Sequence, residues 1–182
     1  MSEKREIIVN ENDEIIGHKY WYDRDENDIS RGSSLWVVIP NGNNYKVLIA
    51  QRSWSRKYNP GEWDVSVGGA NEEGESYEDN IYKEAKEEIG LTNTKFTQMY
   101  DKPILHKKGS YVIEGFVMYY IAIGDWRLSD FTPQESEIEA LDIVPIDDLL
   151  RDSFENPDKY TPNFHDGVVN LKKYLEKKSK RI

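Results

Sequence analysis

The sequence predicts a mixed α/β (α+β) sandwich built as one domain. Three observations carry that expectation. β-rich runs recur along the chain, helical periodicity is convincing in only two places, and 182 residues suffice for one well-buried core but are short for two. So few helices do not fit a doubly wound parallel fold, which needs a crossover helix for nearly every strand. No internal repeat, low-complexity tract or linker divides residues 1–182, so a single domain is expected. Hydrophobic residues at 37% and charged residues at 32% exclude a collagen or a chain disordered throughout.

The elements follow in order. EIIVNENDEII (6–16) holds two apolar runs around an Asn-Glu-Asn-Asp turn and predicts a hairpin. The polar stretch 22–34 reads as loop. SLWVVIP (34–40) and YKVLIAQ (45–51) are β-rich runs joined by Asn-Gly turn chemistry. RSWSRKYNPGEW (52–63) reads as a basic, aromatic loop broken at Pro60-Gly61, and DVSVGG (64–69) alternates up to paired glycines. A helix is predicted over 76–89, with Ser76 as N-cap, Asp79 at the third helical position and Gly90 closing it. Strands are expected around 96–105 and over YVIEGFVMYYIAI (111–123), and EALDIVPIDDLL (139–150) reads as a strand running into a short helical turn after Pro145. A C-terminal helix over about 166–178 places Val168, Leu171 and Leu175 at helical spacing. Trp36 and Trp63 read as core; Trp54 and Tyr58 lie in the basic loop, where an aromatic can pack or stack on a ligand.

Charge and cysteine narrow the function. The 24 basic and 34 acidic residues leave a net charge of −10, a field that repels nucleic acid and anionic lipid, so neither is an expected partner. A phosphorylated ligand then needs a local basic patch or a bridging cation. There is no cysteine, which removes disulfides, thiolate metal sites and cysteine nucleophiles. The charged start MSEKREIIV predicts no secretory signal, and no window approaches ~18 apolar residues, so a cytoplasmic location off the membrane is expected.

The predicted helix carries the chemistry. Glu84, Glu87 and Glu88 fall within one arc of roughly 100°, beside an apolar stripe of Ile81, Ala85 and Ile89. Like charges at these spacings repel, and more strongly where a core limits water. Lys83 precedes the cluster and Lys86 points away from it, which leaves a hard divalent cation with oxygen ligands, Mg²⁺ or Mn²⁺, to relieve the repulsion. Alone, such a face is what a chain with 34 acidic residues produces by chance. Its surroundings decide otherwise. Gly69, Glu75, Glu84, Glu87, Glu88 and Gly90 keep a fixed spacing whose chance occurrence is on the order of one in ten thousand.

That spacing, G-x5-E-x7-R-E-U-x-E-E-x-G-U with U apolar, resembles the Nudix box over residues 69–91, with Lys83 standing where the box has arginine. The resemblance implies an α/β/α sandwich with a mixed central sheet. It also implies a Mg²⁺- or Mn²⁺-dependent hydrolase that cleaves the pyrophosphate bond of a nucleoside diphosphate linked to another group. Glu84, Glu87 and Glu88 would be catalytic and, with the carbonyl of Gly69, hold the metal. The general base stays open among Glu87, Glu88 and the acids Glu135, Glu137 and Glu139 of QESEIEA. Lysine keeps the arginine's charge but not its planar fork, so looser glutamate geometry is expected. A non-catalytic diphosphate-binding module is the alternative that Lys83 keeps open.

Residues 51–76 and YTPNF (160–164) extend the likeness to the branch containing type I isopentenyl-diphosphate isomerase. There Arg52 and Lys57 match positions at or near the diphosphate and, with Arg56, supply the required basic patch. Glu114 falls in a strand where the isomerase carries an essential glutamate, and Glu135 is a further candidate at the substrate. The isomerase's catalytic cysteine and its metal-binding histidines are absent, Gly68-Gly69-Ala70 replacing Cys-Gly-His and Ser30 a histidine, which disfavours that activity. The expected partner is a small-molecule diphosphate. Assembly stays open, a homodimer being one form the resemblance allows.

Overall fold

A computed structural model describes residues 4–107 and 115–179. The strands are β1 (Glu6–Val9), β2 (Ile15–Lys19), β3 (Ile29–Asn41), β4 (Asn44–Arg52), β5 (Trp63–Asp64), β6 (Val67–Ala70), β7 (Thr97–Gln98), β8 (Ile104–His106), β9 (Gly115–Ile123) and β10 (Ile138–Pro145). The helices are α1 (Tyr77–Ile89), α2 (Ile146–Glu155) and α3 (Phe164–Ser179). One mixed sheet follows the order β10-β4-β3-β1-β2, with β5 on β4, β6 and β9 on β3, and β7 and β8 on β9. β3 and β9 run parallel from Ser30↔Gly115 to Val38↔Ile123; the other pairs are antiparallel.

Alternation in the central strands builds the layers. Leu35, Val37, Leu48 and Ala50 pack with Ile81, Ala85 and Ile89 of α1 on one face of the sheet. Their neighbours Trp36, Val38, Val47 and Ile49 point the other way, against Ile146 and Leu149 of α2 and Phe164, Val168, Leu171 and Leu175 of α3. The run LWVVI is continuously apolar because both its faces are covered, which makes the expected α/β/α sandwich. Each such fully buried side chain contributes roughly 1.5–3 kcal/mol.

α1 starts and stops as its sequence dictates. Ser76 Oγ accepts from Asp79 N at 3.1 Å, and Asp79 Oδ2 accepts from Ser76 N at 3.0 Å, a reciprocal cap. Gly90 closes the helix with φ +70°, and Leu91 N donates to Ala85 O at 2.9 Å.

Five sequence-based expectations change. The stretch 22–34 is not all loop, because β3 begins at Ile29; its Ser-Arg-Gly-Ser-Ser run looks polar, yet Ser33 is buried and donates to Tyr77 O at 2.8 Å. The run 64–69 divides into β5 and β6. The strand at 96–105 divides into β7 and β8, separated by the bend before Pro103. α2 is a ten-residue helix rather than a short turn. α3 starts at Phe164, two residues earlier than expected, so Phe164 joins the core face. Residues 111–114, the start of the strand expected over 111–123, lie outside the described residues.

Candidate active site

The paired glycines of β6 run beneath α1, and both elements border a cleft of about 1560 Å³. Asn80 pins the helix there: it is wholly buried, and its Nδ2 donates to Ala70 O at 2.9 Å. The apolar stripe points into the core, so the carboxylates next to it emerge at the cleft wall. Glu84, Glu87 and Glu88 all line it, as do Gly68 and Gly69.

Gly69 has a steric reason. A Cβ there would stand 2.5 Å from Glu84 Cδ, so the carboxylate occupies the space a side chain would take. Across the sheet, a Cβ at Gly32 would stand 3.1 Å from Gly69 O, so a bare Gly32 keeps that carbonyl uncrowded. Gly32 was hidden in the stretch read as loop; its signal is a glycine inside a run of small residues.

Lys83 does more than the sequence suggests. Its ammonium lies 2.9 Å from Glu75, 3.1 Å from Glu84 and 3.1 Å from Glu72, gathering three carboxylates on the helix side of the cleft. Burial works against that charge, but the carboxylates outweigh it and hold Lys83 above the usual lysine range. Glu72 feels the same balance: burial opposes its charge, while Lys4 and Lys83 hold its carboxyl below the usual range. Glu75 also accepts from Glu72 N at 2.9 Å and Asn80 Nδ2 at 3.2 Å, tying the loop before α1 to the helix.

Glu88 is treated differently. Burial and then the charge of Glu84 push its carboxyl up to about 8, while Gly68 N, donating at 3.3 Å, offsets part of the rise. Glu137 and Asp64 add further repulsion. Burial also raises Glu84, against the pull of Lys83.

The opposite rim is basic. Arg52 and Lys57 both line the cleft, with Arg56 between them in the sequence. Arg52 Nη1 lies 3.2 Å from Asp64 Oδ2, and Thr161 Oγ1 donates to Asp64 Oδ1 at 3.0 Å. The Thr-Pro-x-Phe segment therefore buttresses the residue that positions Arg52. Arg56 pairs with Glu137. The Lys57 ammonium stands over the rings of Trp21 and Tyr58, 5.2 and 5.1 Å from their centroids.

Glu135 is not brought to the cleft. Glu137 N donates to Gln134 O at 2.9 Å, closing a turn in which Gln134, Ser136 and Glu137 line the cleft and Glu135 does not. Glu114 lies outside the described residues. Sequence reasoning passed over Glu72, Gly32 and the aromatic segment Tyr20-Trp21-Tyr22, all at the cleft.

Among the described residues, no group of three or more His, Asp or Glu side chains is already gathered closely enough to hold a metal ion. The fit of a hard cation rests instead on donor chemistry. Two partly buried carboxylates repel each other beside an uncrowded carbonyl, and every donor is oxygen.

A family model described as NUDIX domain matches residues 30–164. The chain is 34% identical over 99 residues to a Nudix hydrolase of Deinococcus radiodurans, covering 50% of this chain and 52% of that one. It is 29% identical over 102 residues to the isopentenyl-diphosphate Delta-isomerase of Salmonella arizonae, covering 55% and 54%. The chain thus spans about half the length of these curated relatives. Its backbone is similar to a crystal structure from Deinococcus radiodurans, with a TM-score of 0.74 at 22% identity over 91% of this chain and 97% of the other.

Proposed function

This chain belongs to the Nudix family, and from that premise we propose that it is a single-domain, Mg²⁺-dependent hydrolase of a nucleoside diphosphate linked to another group. The observation that carries the reading is one cleft with the carboxylates of α1 and the Gly68-Gly69 backbone of β6 on one wall and a basic rim of Arg52, Arg56 and Lys57 on the other. Glu84, Glu87 and Glu88, with the Gly69 carbonyl, would hold the ion. When bound, it would offset diphosphate charge against a protein of net charge −10 and lower the pKa of a water so that hydroxide is available to attack phosphorus.

The chain's own residues supply the rest. Arg52, fixed by Asp64, and Lys57 face the diphosphate and orient it towards the carboxylates. Water adds to one phosphorus, the bridging P–O bond breaks with its electrons on the departing phosphate, and a carboxylate takes the proton. Of the acids in QESEIEA, Glu137 lines the cleft, whereas Glu135 and Glu139 do not, so Glu137 joins Glu87 and Glu88 as a candidate base.

The test is a panel of nucleotide sugars, dinucleotides, ADP-ribose and nucleoside triphosphates with Mg²⁺ or Mn²⁺. Glu87→Gln and Glu88→Gln should each lower turnover by ~10²-fold or more; unchanged rates in both would exclude the mechanism. A second reading has its own observation: Glu84 is held by Lys83 and by Asn80 Nδ2 at 3.3 Å, as a non-catalytic diphosphate-binding module would allow. Nucleotide binding by calorimetry without product under saturating metal would select it. Tritium exchange into isopentenyl diphosphate would instead assign the isomerase reaction.

A further inference from the structure

The segment between β2 and β3 carries three consecutive aromatic residues that no core claims. Trp21 is 56% exposed and Tyr22 50% exposed, yet both line the cleft with Tyr20. Isolated exposed aromatics are ordinary, but three in a row along one cavity wall form a surface suited to a ligand. The segment is fixed in place. Lys19 Nζ lies 2.8 Å from both Asp25 and Asp28, and Arg24 Nη1 lies 2.8 Å from Glu6 of β1. Tyr20 and Tyr22 stack at 5.4 Å with 6° between their planes, and Trp21 meets Tyr22 edge-on at 5.7 Å.

Tyr58, in the basic loop, lines the same cleft. The Lys57 ammonium is nearly equidistant from the Trp21 and Tyr58 rings, whose centroids therefore stand no more than about 10 Å apart. A planar ring laid against either face takes the place that the ammonium now holds. The ammonium already there marks the ring faces as electron-rich and stands ready for an anionic group attached to the same ligand. Trp21 precedes the span 30–164 that the family model matches, while Tyr58 lies within it.

We propose that Trp21 and Tyr58, whose rings both meet the Lys57 ammonium, form a specificity clamp for the planar base of a nucleoside diphosphate derivative, with Tyr20 and Tyr22 backing Trp21. The inference rests on reading the cleft as a diphosphate site and names the part of the substrate that the box leaves undefined. Trp21 and Tyr58 act on selection, not on the reacting phosphorus.

The test compares AMP with ribose 5-phosphate by calorimetry on the full chain in Mg²⁺. The two ligands differ only in the base, and neither contains a pyrophosphate bond. AMP should bind at least about tenfold tighter, the scale of one base–aromatic stack. Trp21→Ala and Tyr58→Ala should each remove most of that advantage, and Trp21→Phe should keep it. Trp21 is exposed, so its loss should leave the circular dichroism spectrum and melting temperature unchanged. AMP binding no tighter than ribose 5-phosphate, or an advantage that survives both alanine substitutions, would overturn the clamp. No turnover enters the measurement, so failure of the hydrolase reading in the glutamine variants would be seen separately.

Discussion

Glu84 lies in the volume that any side chain at position 69 would need. The atoms in the way are the end of a flexible carboxylate rather than backbone, so Gly69→Ala should fold with a melting temperature within a few degrees of the parent. Turnover should nevertheless fall tenfold or more, because the displaced carboxylate is one of the three proposed to hold the metal. Equal turnover in the alanine variant would separate Glu84 from the chemistry. At this scale the sequence was informative where spacing is rigid. Gly69, Glu84, Glu87 and Glu88 were legible because a helix and a tight strand end impose their positions, and Arg52 and Lys57 reach the same cleft. It was uninformative where a turn decides: in QESEIEA, one backbone hydrogen bond closes a turn that brings Glu137 to the cleft but not Glu135, and no periodicity in the seven letters foretells that. Lys83 shows a third case. Its helix position put it ahead of the acidic cluster, with looser glutamate geometry expected of a lysine there, but the loop before α1 folds back to place Glu72 and Glu75 around its ammonium.

Among the elements, α1 was the most readable, since capping box, apolar stripe and closing glycine agree on its limits. The first half of β3 was the least readable. Its small polar residues serve close strand packing and a buried hydrogen bond, which look like loop composition in a linear reading. α2 and α3 were underestimated because their joint packing, not local propensity, sustains them. They are also clasped at the surface: Asp147 lies 2.6 Å from Lys172 Nζ and accepts from Asn44 Nδ2 at 2.6 Å. The Lys172 bond, then that of Asn44, holds the Asp147 carboxyl below the usual range. Such a group stabilises the fold above its unfolded pKa of about 3.9, and the contribution disappears as pH falls through the lower folded value. Asp147→Ala should therefore cost up to about 1 kcal/mol near neutral pH, given the exposure of the pair. The difference from the parent should shrink below about pH 4 in urea unfolding. A pH-independent difference would assign the effect to packing.

For the molecule as a whole, an acidic protein with an acidic cleft wall has a direct thermodynamic consequence. A divalent cation bound to the folded chain adds RT ln(1 + [L]/Kd), about 2.7 kcal/mol at a hundredfold excess over Kd. Mg²⁺ should raise the melting temperature by several degrees, EDTA should reverse the rise, and Glu88→Gln should blunt it. An unchanged melting curve across millimolar Mg²⁺ would count against a metal held by these carboxylates. The fold class was legible at this scale because recurring β-rich runs, two periodic helices and a length suited to one core agree on it, and the layers then account for the continuously apolar LWVVI. The pairing partner of β3 was not, since a parallel neighbour is set by the whole chain path.

That parallel pairing also bears on how the chain is made. Ser30 meets Gly115 about 85 residues further along, and closing a loop of that length costs about 4 kcal/mol of chain entropy beyond a constant. A nascent polypeptide halted on the ribosome before Gly115 has already produced every glutamate of α1, yet it lacks the strand that lies beside β3 for nine residues. Synthesis must run well past the box before its acidic side chains gain their final seat, and a truncation that looks harmless on a motif map would release an unfinished sheet edge to aggregate.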